Sequence, residues 1–327
     1  MKGLTITASI LPRLYGLPKT HKANVPMRPI VSTINSTTSK LSQLLAGVLH
    51  RSFINRTSYN VQDSFDFVER VKDIIIPESH VLVSFDVSSL FTNIPMQLVL
   101  QIIEDEWDRI SPHTTFSKES FIRALRFINN NAYFTFQGKC YKQKWGTQMG
   151  SSLGPSMALI VMDALLDWAV PRIGVHIPLI LKYVDDIFAV VPKDSINRAV
   201  AELNTFHPRL QFTFEMENNG SLPFLDTMVT RRPDGSLLLD WYQKPTASGR
   251  YLNYHSAHTT KQKMNLLIGM RTRVQRICHP SLVNKKFKLL VDIFENNGYP
   301  TRLLRKVFGG PISITSSPRP ILPPEDR

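Results

Sequence analysis

Acidic residues are absent from the first 60 positions of this 327-residue chain, which carry eight Lys or Arg and no Asp or Glu. Cysteine is nearly absent too, with Cys140 and Cys278 the only two. Two thiols do not build a disulfide framework and suit a reducing, intracellular compartment. The opening Met1-Lys2-Gly3 leads into a short apolar patch that Pro12 soon interrupts, so no secretory signal peptide is expected. No apolar run is read as reaching the ~20 residues that span a bilayer, and no membrane partner is expected. There is no internal repeat, which excludes a solenoid. His255, His258, Cys278 and His279 lack the spacing of a closed zinc site. What remains is a chain long enough to bury a full core as one multi-lobed body.

The net charge of +13 is unevenly placed. Residues 61–230 carry 14 basic and 20 acidic side chains, whereas residues 231–310 carry 15 basic and 4 acidic. An acidic middle between basic flanks suits a metal-binding centre held between surfaces that grip a phosphate backbone. A basic surface that faces only solvent gives the same counts, so the chemistry has to come from motifs.

The stretch Leu179-Ile180-Leu181-Lys182-Tyr183-Val184-Asp185-Asp186-Ile187-Phe188-Ala189-Val190-Val191 holds two short runs rich in Ile, Leu and Val. Such runs read as buried strands. Asp185 and Asp186 fall where the hairpin between them turns. Adjacent carboxylates repel unless a cation lies between them, and Mg²⁺ takes one or two carboxylates before completing its shell with water and substrate phosphates. A solvated Asp-Asp turn is the plain alternative, and a remote carboxylate is needed to tell the two apart. Val81-Leu82-Val83-Ser84-Phe85-Asp86 is a further apolar strand ending in aspartate. Side by side in one sheet, the strand ends bring Asp86 and Asp185 together. Such carboxylates clamp a metal pair about 4 Å apart for in-line phosphoryl transfer.

Phe85-Asp86-Val87-Ser88-Ser89-Leu90-Phe91-Thr92-Asn93-Ile94-Pro95 and Tyr183-Val184-Asp185-Asp186 resemble motifs A and C of a reverse transcriptase palm. Gly146-Thr147-Gln148-Met149-Gly150-Ser151-Ser152-Leu153-Gly154-Pro155 resembles motif B. The wording at residues 14–22 and 242–258 is similar to the Penelope-like retroelement group, and the likeness runs from about Leu11 to Val307. The resemblance implies an α+β, right-hand polymerase with an antiparallel palm sheet carrying the aspartates. Partial fingers are expected at 1–75, a palm at 76–245 with a fingers-like insert near 129–150, a thumb at 246–308 and a disordered tail at 309–327.

The resemblance also implies an activity: RNA-directed DNA polymerisation for a retrotransposable element, in the nucleus after cytoplasmic synthesis. The partners are an RNA template, a DNA primer or RNA–DNA hybrid, and deoxynucleoside triphosphates. Asp86 and Asp185 are expected to hold two Mg²⁺ ions (Mn²⁺ being an alternative), with Asp186 assisting and the Val87 carbonyl as a further ligand. The rival reading is a decayed or domesticated descendant that grips nucleic acid without polymerising. Many such elements carry sequence before the fingers and a Gly-Ile-Tyr/Tyr-Ile-Gly endonuclease after the thumb. Neither is found, as in a fragment, a decayed copy or an endonuclease-lacking form.

Residues 11–30 hold four prolines and read as extended segments joined by turns. Lys19, Lys22 and Arg28 there suit a triphosphate, Arg28 through its bidentate fork; the resemblance ranks Arg28 first and Lys19 second. Phe91, five positions after Asp86, is expected beneath the nucleotide sugar, where a 2′-hydroxyl would collide with its ring. Met149 and Gly150 are expected at the templating pair, Gly150 because glycine lets backbone approach a ligand closely. Ser152 and Gly154 stand where the common motif B wording has proline and serine, and both changes loosen the loop. Tyr183, Leu225, Lys244 and Arg250 are expected along primer and template, where aromatic and basic residues interleave.

Periodicity and caps predict helices at 39–54, 61–75, Pro95 to about Trp107, 117–128, Ser156 to about Val170, 195–206, 261–277 and 282–296. A hairpin is expected across Gln137-Gly138, and strands over 210–243 with turns at Asn219-Gly220 and Asp234-Gly235. Glu104, Asp105, Glu106 and Asp108 are read as a solvated helix face, and Asp226 as a turn anchor.

Overall fold

The computed structural model describes residue 6, residues 8–20 and residues 24–309. Lys22 and all of the expected tail except Gly309 lie outside the described residues. The proline-rich start forms an antiparallel hairpin of β1 (Arg13–Pro18) and β2 (Met27–Ser32). Helix α1 (Ser39–Phe53) buries Leu45, Val48, Leu49 and Phe53 on one face, at helical spacing. In α2 (Ser64–Val71) the Asp63 carboxylate caps the start by accepting from the amides of Phe65 and Asp66. Strand β3 (His80–Val87) leads to α3 (Leu90–Asn93), α4 (Met96–Asp105), α5 (Trp107–Ile110) and α6 (Lys118–Asn130). Glu106 is not simply solvated: it pairs with Arg56 at 2.8 Å and with Arg109 at 3.1 Å. Strands β4 (Tyr133–Phe136) and β5 (Lys139–Lys142) turn through Gln137 and Gly138, both at positive φ. β4 runs parallel to β1, giving a first sheet of order β2-β1-β4-β5.

Helix α7 (Leu153–Ile173) starts three residues before the expected Ser156 and ends beyond Val170. Pro155 is tolerated because the first-turn N–H groups have no helical partner. Gly174, at φ 69°, closes the helix in the left-handed region. This helix corrects the expectation about apolar runs, since it is long and apolar enough to cross a membrane. Yet 67% of that apolar window is buried inside the protein. A helix apolar all round requires cover on every side, and α7 finds it against α1 and α4 and the next helix, α8 (Ile196–Thr205).

Strands β6 (Leu179–Tyr183), β7 (Asp186–Pro192) and β8 (Phe212–Met216) join β3 in an antiparallel central sheet of order β6-β7-β3-β8. Strands β9 (Ser221–Phe224), β10 (Thr227–Arg231) and β11 (Leu237–Trp241) form a separate meander, so the strands expected over 210–243 divide between two sheets. Helices α9 (Thr260–Ile277), α10 (Pro280–Asn296) and α11 (Thr301–Phe308) follow. Sequence reading missed α11, because two turns are too short to show a clear period.

The central sheet is covered on both faces. Val83, Phe85 and Val87 of β3 and Ile187, Ala189 and Val191 of β7 pack with α1, α4, α7 and α8. Leu82, Phe188 and Val190 pack instead with α2, the meander and α9–α11. Strands sandwiched this way read as unbroken apolar runs. Phe67 of α2 is fully buried, its ring 5.0 Å from Phe188 and 4.8 Å from Phe224. Phe67→Ala would cost about 3–5 kcal/mol. Phe188 lies two residues along β7 from Asp186, so this aromatic cluster floors the carboxylate end of the sheet.

Candidate active site

Strand pairing sets four side chains in one row across the central sheet. Tyr183 is opposite Asp186, Asp186 is opposite Asp86, and Asp86 is opposite Thr213. Residues directly opposed on neighbouring strands share a face and have Cβ atoms ~4.5–5.5 Å apart. Asp86 therefore has Asp186, not Asp185, as its cross-strand partner. The turn of the hairpin is Val184-Asp185, and Asp186 already belongs to β7. Val184 has φ 56°, a left-handed conformation that β-branched residues rarely adopt. That strained turn sets Asp185 immediately beside the row.

The electrostatics show which distant segments converge here. Burial lifts Asp185 above the ordinary carboxylate range, the charge of Asp86 adds to this, and Arg28 and Lys19 oppose it. Asp186 is pushed up to about 6, first by lost hydration, then by Asp185 and Asp86, with Lys244 opposing. Asp186 keeps an exposed edge, so its lost hydration comes from the protein crowded around the rest of the carboxylate. Arg28 lies on β2, Lys19 follows β1 and Lys244 follows β11. Three segments remote in sequence thus bring cations to a carboxylate cluster.

Among the described residues, no three His, Cys, Asp or Glu side chains are grouped to hold a metal ion unaided. The adjoining carboxylates of Asp86, Asp185 and Asp186 nevertheless fit Mg²⁺, which uses one or two carboxylates and fills its shell with water and phosphate oxygens. Cys278 is buried, its sulfur accepts from the Trp241 amide, and burial pushes its thiol up to about 12.

The other expected residues are placed as follows. Val87 ends β3 with its side chain buried. Phe91 is half-buried, and a Cβ added at Gly154 of α7 would lie 3.3 Å from its ring. The Phe91 carbonyl accepts from the Thr147 amide at 2.7 Å. The room at Gly150 (φ 117°) is taken by protein, not ligand: a Cβ there would meet the Val31 carbonyl oxygen at 2.4 Å. The Val31 amide donates to the Met149 carbonyl at 2.8 Å, and the Thr33 hydroxyl to the Gly150 carbonyl at 2.8 Å. The loop expected to be loose is therefore pinned to the strand that carries Arg28. Leu225 is a turn residue at φ 54°, partly buried on the second core, and the adjacent Asp226 pairs with Arg273 of α9. Tyr183 is exposed in the row. Arg250 is exposed beyond Lys244 and is not among the cations acting on Asp185 or Asp186. Sequence reading missed Thr213, because nothing local marks a residue that only register places beside Asp86. It also passed over Lys182, whose signal was a charge inside an apolar strand.

A profile of the family described as Reverse transcriptase (RNA-dependent DNA polymerase) matches residues 18–217, more than half of the chain. The chain belongs to the reverse transcriptase family. A second profile, Animal helix-turn-helix domain, matches residues 250–309, the segment of α9–α11. No curated protein matches the chain. Among solved structures, telomerase from Candida albicans, in complex with a TWJ fragment of telomeric RNA, is similar with a TM-score of 0.63 at 12% identity. The match covers 92% of this chain and 59% of that one. Apo telomerase from Candida tropicalis gives a TM-score of 0.55 at 12% identity, covering 94% and 59%. The Sicinivirus 3Dpol RNA-dependent RNA polymerase gives 0.55 at 13%, covering 93% and 68%. This reverse transcriptase chain thus has the right-hand polymerase fold, and it spans about three fifths of the length of the two telomerases.

Proposed function

We propose that this reverse transcriptase is the RNA-directed DNA polymerase of a Penelope-like retrotransposable element. It extends a DNA primer on an RNA template from deoxynucleoside triphosphates, acting in the nucleus. The observation that carries the reading is the Tyr183–Asp186–Asp86 row with Asp185 at the adjoining turn, faced by Lys19 and Arg28. The wording at 14–22 and 242–258 supports the element type.

Asp86 and Asp185 are the residues that would hold Mg²⁺ or Mn²⁺, with the Val87 carbonyl beside them. When bound, two such ions lower the pKa of the primer 3′-hydroxyl and neutralise the triphosphate and leaving pyrophosphate. Arg28 offers phosphate oxygens a planar pair of donors, and Lys19 and Lys244 offer point charges. Phe91 lies under the sugar and excludes ribonucleotides. Met149 and Gly150 support the templating pair from a loop fixed to β2. Tyr183, Leu225 and Arg250 line the primer and template path, and α9–α11 act as the thumb. No side-chain nucleophile is required.

The test is primer extension by Asp185→Asn, with and without Mg²⁺. The substitution keeps size and removes a ligating charge, so rate should fall at least about a thousandfold while folding and RNA–DNA binding persist. Residual activity within about tenfold of the parent refutes the assignment. A parent that binds nucleic acid in a salt-sensitive way and never extends a primer is the decayed binding protein instead.

A further inference from the structure

Strand β6 carries a lysine with no access to water. Lys182 and Asp163 of α7 are both 0% exposed, and Nζ lies 3.0 Å from the carboxylate. Asn60 accepts from Lys182 Nζ and donates to the two Asp163 oxygens at 3.1 and 3.3 Å, while the Thr57 hydroxyl donates to Asp163 at 3.1 Å. The backbone repeats the connection. The Lys182 amide donates to the Tyr59 carbonyl at 2.7 Å, and the Lys182 carbonyl accepts from the Val61 amide at 2.9 Å.

Stability alone does not account for such a pair. Desolvating two charges costs enough that apolar replacements of equal volume are often as stable or more so. Burial pushes the Lys182 amine below its usual range, and Asp163 acts against that. What distinguishes the pair is what it joins. Lys182 immediately precedes Tyr183, the first member of the carboxylate row. Asp163 lies on the helix that leads out of the Met149–Gly150 loop. A one-residue slip of β6 would turn every side chain to the other face and leave both charges unpaired in the core.

We propose that Lys182 is a positioning residue of the polymerase site, its buried ion pair with Asp163 fixing the register of the Tyr183–Asp186 hairpin against α7 and the 57–61 segment. The inference rests on the polymerase reading above.

The test uses the full chain carrying Lys182→Met together with Asp163→Leu, which removes both charges and keeps apolar volume. Positioning predicts an unchanged Tm and a kcat for primer extension at least about tenfold lower, with KM for the deoxynucleotide within about threefold. It also predicts amide exchange at residues 59–61 and 182–186 at least about tenfold faster. Asn60→Ala, which keeps both charges, should act in the same direction and more weakly, and it serves if the double variant does not fold. A folded variant with parental kcat and parental exchange overturns the proposal. If the parent extends no primer, the polymerase reading has failed by itself, and the exchange rates still decide whether Lys182 holds the hairpin.

Discussion

Asp186→Asn should make the metal-free protein more stable near pH 8 and no more stable near pH 4. The folded protein lifts this carboxyl from 3.8 to about 6 through lost hydration and the charges of Asp185 and Asp86. A carboxyl raised on folding contributes stability that is complete below its unfolded pKa and is lost as pH climbs through the folded one. The window therefore runs from about 4 to about 6, and above it the parent carries an ionised group that the fold disfavours. At about 1.36 kcal/mol per pH unit, the gap corresponds to about 3 kcal/mol. Asp186 has an exposed edge, so solvent and salt screening reduce this to about 1–1.5 kcal/mol. In a chain of this size that is a rise in Tm of about 1.5–2 °C. Thermal melts in low salt with a chelator, taken at about pH 4, 6 and 8, should show the gap opening across that window. Adding Mg²⁺ should close much of it, because a cation removes the repulsion that Asn removes by substitution. An equal gap at about pH 4 and pH 8 would place the effect in packing and refute the electrostatic reasoning.

Other perturbations address separate parts of the site. Phe91→Val should admit ribonucleotides, read as a lower ratio of kcat/KM for deoxynucleotide over ribonucleotide; an unchanged ratio with a lower Tm would make Phe91 a core residue. Arg273 pairs with Asp226, Arg276 lies 3.8 Å over the Phe65 ring and Lys286 pairs with Asp240, so much of the C-terminal basic charge is spent inside the fold. Deleting α9–α11 would open the second core, and Gln at Arg302, Arg305 and Lys306, all exposed on α11, is the cleaner test. The log–log salt slope for duplex DNA should shallow by about 0.9 per lost phosphate contact, and an unchanged slope means that these side chains face only solvent. Val184→Gly should raise stability by about 0.5–1 kcal/mol by relieving the left-handed φ of 56°. A loss measured by denaturant midpoint would show that the packing of Val184 outweighs its strain.

Much of the architecture was legible because the signals are local. Asp63 and Ser117 cap the helices they precede, Gln137-Gly138 turns the β4–β5 hairpin, and Asn219-Gly220 turns the chain between the two sheets. Even the carboxylate cluster showed itself, as aspartates closing apolar strands. The errors have local causes too. The helix expected from Ser156 begins earlier, at Leu153, because a proline in the first turn lacks only an N–H that has no helical acceptor. Gly150 suggested room for a ligand, because a glycine does not reveal whether protein or substrate fills the space beside it.

By itself, the sequence determined most of the elements, the two aspartate-bearing strands and the basic flanks, since turn residues, caps and short apolar runs act within a few positions. The tertiary structure decided the rest. It put Asp86 opposite Asp186 and Thr213. It brought Lys19, Arg28 and Lys244 to one cluster. It hid Lys182 against Asp163. These are consequences of register and layer packing, and their energy is spread over apolar contacts on both faces of the sheet, so no single strand contains the information to specify them.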